Sequence, residues 1–187
     1  MRFRGACAIS IVWACSGALG LMPNARASEM TSQEVTKPEI KGVRNFARLE
    51  TTVACAGATG PEALPEIKKM GFVSVINLRR ATEQGADVEK EEAAAKAAGL
   101  RYFHVPFDGK PDPNAAAAFL DAITTKGAEP AFIHCGGGNR AATMWLIKRI
   151  AVDHWDADKA VKEAAALGQT NEDLRKWAIE YAAANKR

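Results

Sequence analysis

The residues best suited to chemistry are Cys135 and Arg140, which flank a glycine-rich stretch behind an apolar run. Successive N–H groups of such a turn can point to one side where no side chain intervenes, which makes the loop a concave site for an anion. A helix that begins near Arg140 adds free N–H groups and the positive end of its dipole. We expect Cys135 to be a nucleophilic thiolate and the planar guanidinium to bind an oxyanion. The predicted oxyanion-binding loop consists of Gly136, Gly137, Gly138 and Asn139.

A candidate general acid lies on the loop from His104 to Pro113, which is rich in glycine and proline. An alkoxide or phenoxide leaving group needs a proton, and an aspartate on a mobile loop can supply it. Asp108 is the candidate, and Asp112, four residues nearer the cysteine, is the alternative. Both residues also fit ordinary turn chemistry, because aspartate is common beside glycine and proline in turns.

The sequence predicts no metal or cofactor. His104 and His154 lie far apart, and no carboxylate or cysteine stands at ligand spacing from either. The glycine run lacks the dinucleotide fingerprint and the phosphate-loop lysine. Arg79 and Glu83, after a predicted core strand, form either an ion pair at the rim of the site or a solvated surface pair.

Residues 1–27 are typical of a secretory signal peptide. Two arginines precede an apolar stretch over about 5–22, and Ala25-Arg26-Ala27 has the small-x-small cleavage pattern. Cleavage would start the mature chain at Ser28 and place it in the periplasm or outside the cell, with no membrane association. The alternatives are an uncleaved membrane anchor and a lipoprotein attached at Cys15.

Composition gives no sign of a nucleic-acid partner. The 187 residues include 25 Lys and Arg against 22 Asp and Glu, and three arginines but no acidic residue lie in the leader. The mature protein is therefore formally neutral and offers no basic face. Cleavage also removes two of the four cysteines, leaving Cys55 and Cys135, which could pair in an oxidising compartment.

Strand-like and helix-like segments alternate along the rest of the chain. The predicted strands are Leu49–Ala54, Phe72–Leu78, Arg101–Val105 and Ala131–His134. The predicted helices are Glu62–Met70 with Thr59 as N-cap, Asp87–Ala98, Asn114–Thr125 with Asn114 as cap, one from Arg140, Asp158–Leu167 and Asn171–Ala184. The alternation predicts a three-layer α/β fold, in which a mostly parallel central sheet of about four or five strands has helices on both faces. We expect a flexible N-terminal arm over 28–42 and a single domain over 43–187.

The pair His134-Cys135, followed by glycines and Arg140, resembles the signature of dual-specificity, cysteine-dependent phosphatases. The chain as a whole resembles the bacterial beta-lactamase-hydrolase-like, phosphatase-like family. Four further segments carry that resemblance: Asn45–Leu49, Gly57–Glu62, Val75–Arg79 with Glu83, and His104–Asp108.

The resemblance implies a cysteine-phosphatase-like fold that hydrolyses phosphomonoesters through a phosphocysteine and needs no cofactor. The substrate would be a phosphorylated protein or a small phosphomonoester. His134 would order the loop, as it does in the resembling enzymes. Cys55, at a strand end that approaches the active loop in this family, would be a possible redox partner of Cys135.

Two departures from the phosphatase pattern keep other functions open. Four residues separate Cys135 from Arg140, where tyrosine and dual-specificity phosphatases have five, and Ala141 replaces a usual Ser or Thr. Four is the spacing of rhodanese-type sulfurtransferases, so a Cys135 persulfide formed from a sulfane-sulfur donor is the second hypothesis. A non-catalytic module that binds an oxyanion or a phosphoprotein is the third.

Overall fold

A six-stranded sheet forms the centre of the protein in the computed structural model, which describes residues 34–187. The strands are β1 (Val35–Thr36), β2 (Ala47–Leu49), β3 (Val53–Ala56), β4 (Ser74–Asn77), β5 (Arg101–His104) and β6 (Ala131–His134). The predicted signal peptide and residues 28–33 of the predicted arm lie outside the described residues.

The strand order is β1-β2-β3-β6-β4-β5. The four strands β3, β6, β4 and β5 are mutually parallel, and β1 and β2 add an antiparallel edge. This confirms the predicted, mostly parallel α/β sheet, although six described strands replace the expected four or five. The extra strands have two sources: β1 lies in the predicted arm, and the single strand predicted over Leu49–Ala54 is two strands joined by a turn. Glu50 enters that turn with φ 43°.

Six α-helices cover the sheet within the described residues. They are α1 (Leu64–Lys69), α2 (Val88–Ala97), α3 (Pro113–Thr124), α4 (Asn139–Ala151), α5 (Ala157–Ala166) and α6 (Glu172–Ala184), with a 3₁₀ turn at Pro61–Ala63 before α1. None of these helices combines the length and the apolar content that a membrane crossing requires.

Two predicted helix caps are wrong. The cap of α3 is Asp112 rather than Asn114, because its carboxylate accepts hydrogen bonds from the first free N–H groups of the helix at 2.9 and 3.1 Å. Pro113 then occupies the first helical position, where its missing N–H costs nothing. Thr59 does not cap the next helix, since its hydroxyl donates to the carbonyl of Gly57 at 3.2 Å and Gly60 takes the cap position.

The alternation of side chains along β6 divides the core into two layers. Phe132 packs with Leu64 and Ile67 of α1, whereas Ile133 lies in the cluster that contains Trp145 of α4. Helix α4 is buried over almost its whole length, against α3, α5, α6 and the sheet. The strand and the helix on either side of the glycine run are therefore both held rigidly by the core.

Candidate functional site

The predicted loop joins the end of β6 directly to the start of α4. Cys135 follows the last strand residue, and Gly138 is the cap of the helix with φ 102°. This backbone conformation strains any residue with a Cβ atom, which explains the glycine at this position. Only three residues separate the sulfur from a helix N-terminus, so the partial positive charge of that terminus acts on it.

Outward hydrogen bonds fix the carbonyl groups of the loop. The carbonyl of Gly136 accepts from the N–H of Ala58 at 3.1 Å, and the carbonyl of Gly137 accepts from Asn45 Nδ2 at 2.9 Å. Both donors precede or follow the β2–β3 hairpin, so the loop is anchored to the antiparallel edge of the sheet. Asn45 has a positive φ of 50°, which asparagine tolerates better than most residues.

The same peptide units direct their N–H groups inward. In a trans peptide the N–H points away from the carbonyl of the preceding residue, so the N–H groups of Gly137 and Gly138 both face the inside of the loop. The N–H of Gly138 donates to Cys135 Sγ at 3.1 Å. Cys135 itself is only 1% exposed, so its sulfur lies beneath the loop whose Gly138 N–H it accepts.

Arg140 lies at the rim of this concavity. Its Nη1 and Nη2 donate to the two carboxylate oxygens of Glu83 at 2.7 and 2.8 Å, and Nη1 also donates to the carbonyls of Leu78 and Phe107. A Cβ atom on Gly136 would lie 3.1 Å from Nη2, so the guanidinium covers the loop. Because the bonds to Glu83 use one edge of the fork, Nε–H and the second proton of Nη2 form the other edge, which suits an oxyanion.

The Arg140–Glu83 pair holds both groups in their charged forms. The hydrogen bond from Arg140 outweighs burial and lowers the pKa of Glu83 to about 2. Burial opposes the charge of Arg140, but the same bond raises the pKa of Arg140 above its usual value. The sequence allowed two interpretations of Arg79 and Glu83, an ion pair at the rim or a solvated surface pair. The structure fits a rim ion pair, but the main partner of Glu83 is Arg140. Arg79 Nε is 3.6 Å from Glu83.

The two candidate general acids have different surroundings. Asp108 is exposed and accepts the N–H of Lys110 at 2.9 Å. Its neighbour Gly109 packs on Arg140, because a Cβ atom there would lie 3.3 Å from Arg140 Cδ. Asp112 is committed to the cap of α3. The structure thus places the Asp108 loop against the rim of the site, while the role of Asp108 as an acid stays a prediction.

Asn139 and Cys55 are the two remaining predicted site residues, and both lie on the α4 side of the sheet. The Asn139 side chain accepts the N–H groups of Thr170 and Asn171 at 2.7 and 3.1 Å, which ties the start of α4 to the α5–α6 turn. Cys55 lies on β3, next to β6, and belongs to the same buried cluster as Cys135. Both thiols are free. Burial raises the pKa of Cys55 well above its ordinary value, and the charge of Cys135 acts in the same direction.

Sequence reasoning missed two residues that contact the predicted site residues. Glu91 on α2 lies 2.6 Å from the ring of His134, and Asn77 at the end of β4 donates to the same carboxylate at 3.1 Å. Nothing in the sequence distinguishes Glu91 from Glu89 and Glu92 on the same Glu-, Ala- and Lys-rich helix. Only the position of α2 over the sheet shows which of these carboxylates faces inward.

A cavity of about 790 Å³ adjoins the loop. Its lining combines apolar and polar side chains from residues 37–47, Gly137 to Asn139 and the turn at 167–170. Cys135 and Arg140 are not part of the lining, so this cavity lies beside the predicted anion site and is separate from it.

Solved structures of phosphatases share this fold. P. aeruginosa TpbA superposes with a TM-score of 0.59 at 19% identity, over 82% of this chain and 91% of that one. The catalytic core of the PP-IP phosphatase SIW14 from S. cerevisiae gives 0.58 at 15% identity, over 79% and 88%. A DUF442 protein from Shewanella putrefaciens gives 0.63 at 17% identity, over 78% and 96%. At these identities the likeness is one of fold.

Curated relatives share more of the sequence. A beta-lactamase hydrolase-like protein of Agrobacterium fabrum is 33% identical over 105 residues, which is 54% of this chain and 24% of that protein. One of Xylella fastidiosa is 32% identical over 125 residues, 64% of this chain and 27% of that protein. The chain thus spans about a quarter of the length of these relatives.

A family model matches residues 45–152, which include β2 to β6, the Glu83 loop and the whole Cys135–Arg140 segment. The matched region is more than half of the chain and contains every charged contact of the rim. It also confirms the family resemblance inferred from the sequence. The chain belongs to the family of the beta-lactamase hydrolase-like protein, phosphatase-like domain.

Proposed function

We propose that the protein is a cysteine-dependent phosphatase that hydrolyses phosphomonoesters through a phosphocysteine. The observation that carries the proposal is the Gly138 N–H that donates to Cys135 Sγ, with the Arg140 guanidinium held at the rim of the loop by Glu83. Backbone donors and a charged fork around one sulfur match the equatorial oxygens of a phosphoryl group. Membership of a phosphatase-like family supports the same chemistry.

The fold neighbours indicate the class of substrate. One TpbA structure is a complex with pTyr, and SIW14 is a PP-IP phosphatase. The bound pTyr is a phosphomonoester, so a phosphorylated protein or a small phosphomonoester is the proposed substrate here. The Ser28 start and a periplasmic or secreted location stay predictions from the leader.

The reaction would proceed in two steps. The Cys135 thiolate attacks phosphorus, the S–P bond forms as the ester P–O bond breaks, and Asp108 gives its proton to the departing oxygen. Water then attacks phosphorus and gives a proton to the Asp108 carboxylate, while the S–P electron pair returns to sulfur and phosphate leaves. Throughout, the loop N–H groups and Arg140 balance the charge on the phosphoryl oxygens.

Sulfur transfer is the second candidate because of the short loop. Four residues between Cys135 and Arg140 give a smaller ring, and the buried Ala141 supplies no hydroxyl to a departing thiolate. In that reaction Cys135 attacks the outer sulfur of thiosulfate, releases sulfite and holds a persulfide. Cyanide then removes the outer sulfur as thiocyanate and restores the thiolate.

The decisive experiment compares the two reactions on the same protein. With an aryl phosphate, we expect phosphate release that falls by at least about 10³-fold in Cys135→Ser and about 10²-fold in Arg140→Ala. The matched control is Cys55→Ala, which removes the other thiol and should keep the activity. Phosphate release that survives the loss of Cys135 would refute the covalent mechanism. Thiocyanate formation without phosphate release would favour sulfur transfer, and phosphate binding without either reaction would favour a binding module.

The assignment of the general acid is tested by a pair of isosteric variants. Asp108→Asn should lower kcat for an alkyl phosphate by about 10²-fold or more, because the leaving alkoxide loses its proton donor. Asp112→Asn should keep kcat and stability, since asparagine caps a helix as well as aspartate does. The measurement is steady-state kinetics with alkyl and activated aryl phosphates. Equal losses in both variants, or a loss only in Asp112→Asn, would exclude Asp108 as the acid.

The Glu83–Arg140 pair predicts a pH-dependent contribution to stability. The pKa of Glu83 is lowered in the folded state, so its contribution is fully present above pH 4.5 and is lost as pH falls toward 2. We therefore expect Glu83→Gln to lower Tm at pH 6, with a difference from the wild type that narrows steadily below pH 4.5. Thermal unfolding at several pH values measures it, with Glu89→Gln as the exposed control. A Tm difference that stays constant down to pH 3 would contradict the pairing.

Cys55 is proposed as the redox partner of Cys135. With hydrogen peroxide as oxidant, the Cys135 thiolate displaces hydroxide to form a sulfenic acid, and the Cys55 thiol then displaces water to form a disulfide. Peroxide should therefore inactivate the wild type reversibly, with a linked Cys55–Cys135 peptide pair seen by mass spectrometry. In Cys55→Ala, inactivation should resist dithiothreitol because Cys135 oxidises further. Oxidised wild type that contains both free thiols would refute the pairing.

A further inference from the structure

A buried network of polar side chains lies behind the active loop, on the face of the sheet opposite α4. Its members come from four elements: Asn77 from β4, Glu91 from α2, Tyr102 from β5 and His134 from β6. His134 is fully buried, Asn77 is 1% exposed and Glu91 is 3% exposed. A buried carboxylate is costly unless its oxygens are hydrogen-bonded, so this cluster requires an explanation beyond packing.

With Glu91 ionised, the network has a consistent set of donors and acceptors. The N–H of Arg79 donates to Asn77 Oδ1 at 2.7 Å, which fixes the orientation of the Asn77 amide. The two protons on Asn77 Nδ2 then go to Glu91 Oε2 at 3.1 Å and to Tyr102 Oη at 2.9 Å. An ionised carboxylate accepts at both oxygens, so Glu91 Oε1, 2.6 Å from the His134 ring, accepts the Nε2–H.

The phenol of Tyr102, which accepts from Asn77 at the outer end of the network, is uncharged. Burial, followed by the charge of Glu91, raises the pKa of Tyr102, so the phenol stays protonated. The ring of His134 also stacks on Phe132, with centroids 5.6 Å apart and an angle of 13°. The carboxylate of Glu91 thus fixes which ring nitrogen of His134 is protonated, and the stack fixes the plane of the ring.

The fixed ring lies one residue from the nucleophile. The carbonyl of His134 accepts the N–H of Leu78 at 2.9 Å, and the N–H of Cys135 donates to the carbonyl of Ala56 at 3.1 Å. These bonds set the point at which the chain leaves the sheet and enters the loop. Because the His134 ring is attached to the residue directly before Cys135, its orientation is the feature expected to act on the first peptide of the loop, and through it on the distance from Cys135 Sγ to the Gly138 N–H.

We propose that Glu91 is a positioning residue for Cys135, which acts through the Nε2–H of His134. Its carboxylate contacts neither the loop nor the expected phosphoryl position, and it sets the geometry in which the thiolate is stabilised. The consequence for turnover rests on the proposed phosphatase function. The consequence for thiol reactivity does not, and is measured without any substrate.

The isosteric variant Glu91→Gln gives a spectroscopic test. Asn77 still needs an acceptor, so the new amide must place its oxygen toward Asn77 and its NH₂ toward His134. The NH₂ group at position 91 and the Nε2–H of His134 would then be two donors facing each other. The conflict ends if Nε2 loses its proton, so we expect the ring to change to the Nδ1–H form. Nitrogen-15 NMR of the imidazole should show a protonated Nε2 in the wild type and an unprotonated Nε2 in the variant. Glu89→Gln, which removes the same charge from an exposed site on α2, should resemble the wild type.

A double-mutant cycle tests whether Glu91 acts through His134. The readout is the rate of Cys135 alkylation by iodoacetamide at pH 7, followed by mass spectrometry of the Cys135 peptide. Glu91→Gln should slow alkylation about tenfold in the wild-type background, because misplaced loop donors stabilise the thiolate less well. In a His134→Asn background the same change should matter less than about twofold. Glu89→Gln should leave the rate unchanged in both backgrounds.

Three results would overturn the proposal. An unprotonated Nε2 in the wild type would do so even if the Glu91 variant fails to fold, because the wild-type spectrum needs no variant. An equal slowing of alkylation in both backgrounds would show that Glu91 does not act through His134. An unchanged alkylation rate in a folded Glu91→Gln protein would remove the positioning role. Normal NMR and alkylation results with no turnover of any phosphate would instead count against the phosphatase function alone.

Discussion

The site depends on the direction of two peptide planes. Donors at Ala58 and Asn45 hold the carbonyls of Gly136 and Gly137 outward, so the N–H groups of the same planes face the inside of the loop, where that of Gly138 donates to Cys135 Sγ. These two anchors flank the β2–β3 hairpin, which belongs to the antiparallel edge of the sheet and lies far from the loop in sequence. An anion site made of backbone therefore needs the fold to hold the backbone from behind.

The loop itself was predictable because it is local. An apolar strand, a cysteine, three glycines and an arginine in ten consecutive residues specify a strand, a turn with a positive φ and a helix start, and the structure has each of them. The parallel sheet was predictable for a similar reason, since strands and helices alternate along the chain. The edge strands were not, because β1 is two residues long and β2 three, too short to show a period of two.

Partners brought together by topology were not predictable in the same way. Glu83 lies 57 residues from Arg140, and Glu91 lies 43 residues from His134. Each pair forms because β4 is next to β6 in the sheet, so the chain that follows β4 passes beside the chain that follows β6. In the sequence, Glu83 looks like the partner of Arg79 in a surface ion pair, and Glu91 is one of several glutamates on a predicted helix. Their burial distinguishes these two glutamates from the exposed ones nearby, and that burial follows from the strand order.

The segment from Asn77 to Glu91 therefore forms the second half of the site. It passes the carboxyl end of β6 on one side, where Glu83 fixes Arg140, and continues into α2 on the other side, where Glu91 fixes His134. The residues on both sides of Cys135 are thus each held by a carboxylate from one continuous stretch of chain. Because both carboxylates are mostly or fully buried and hydrogen-bonded, a shift of this stretch would disturb the surroundings of Cys135 from two directions at once. A rigid β4–α2 connection is consequently as necessary to the proposed anion site as the glycine loop.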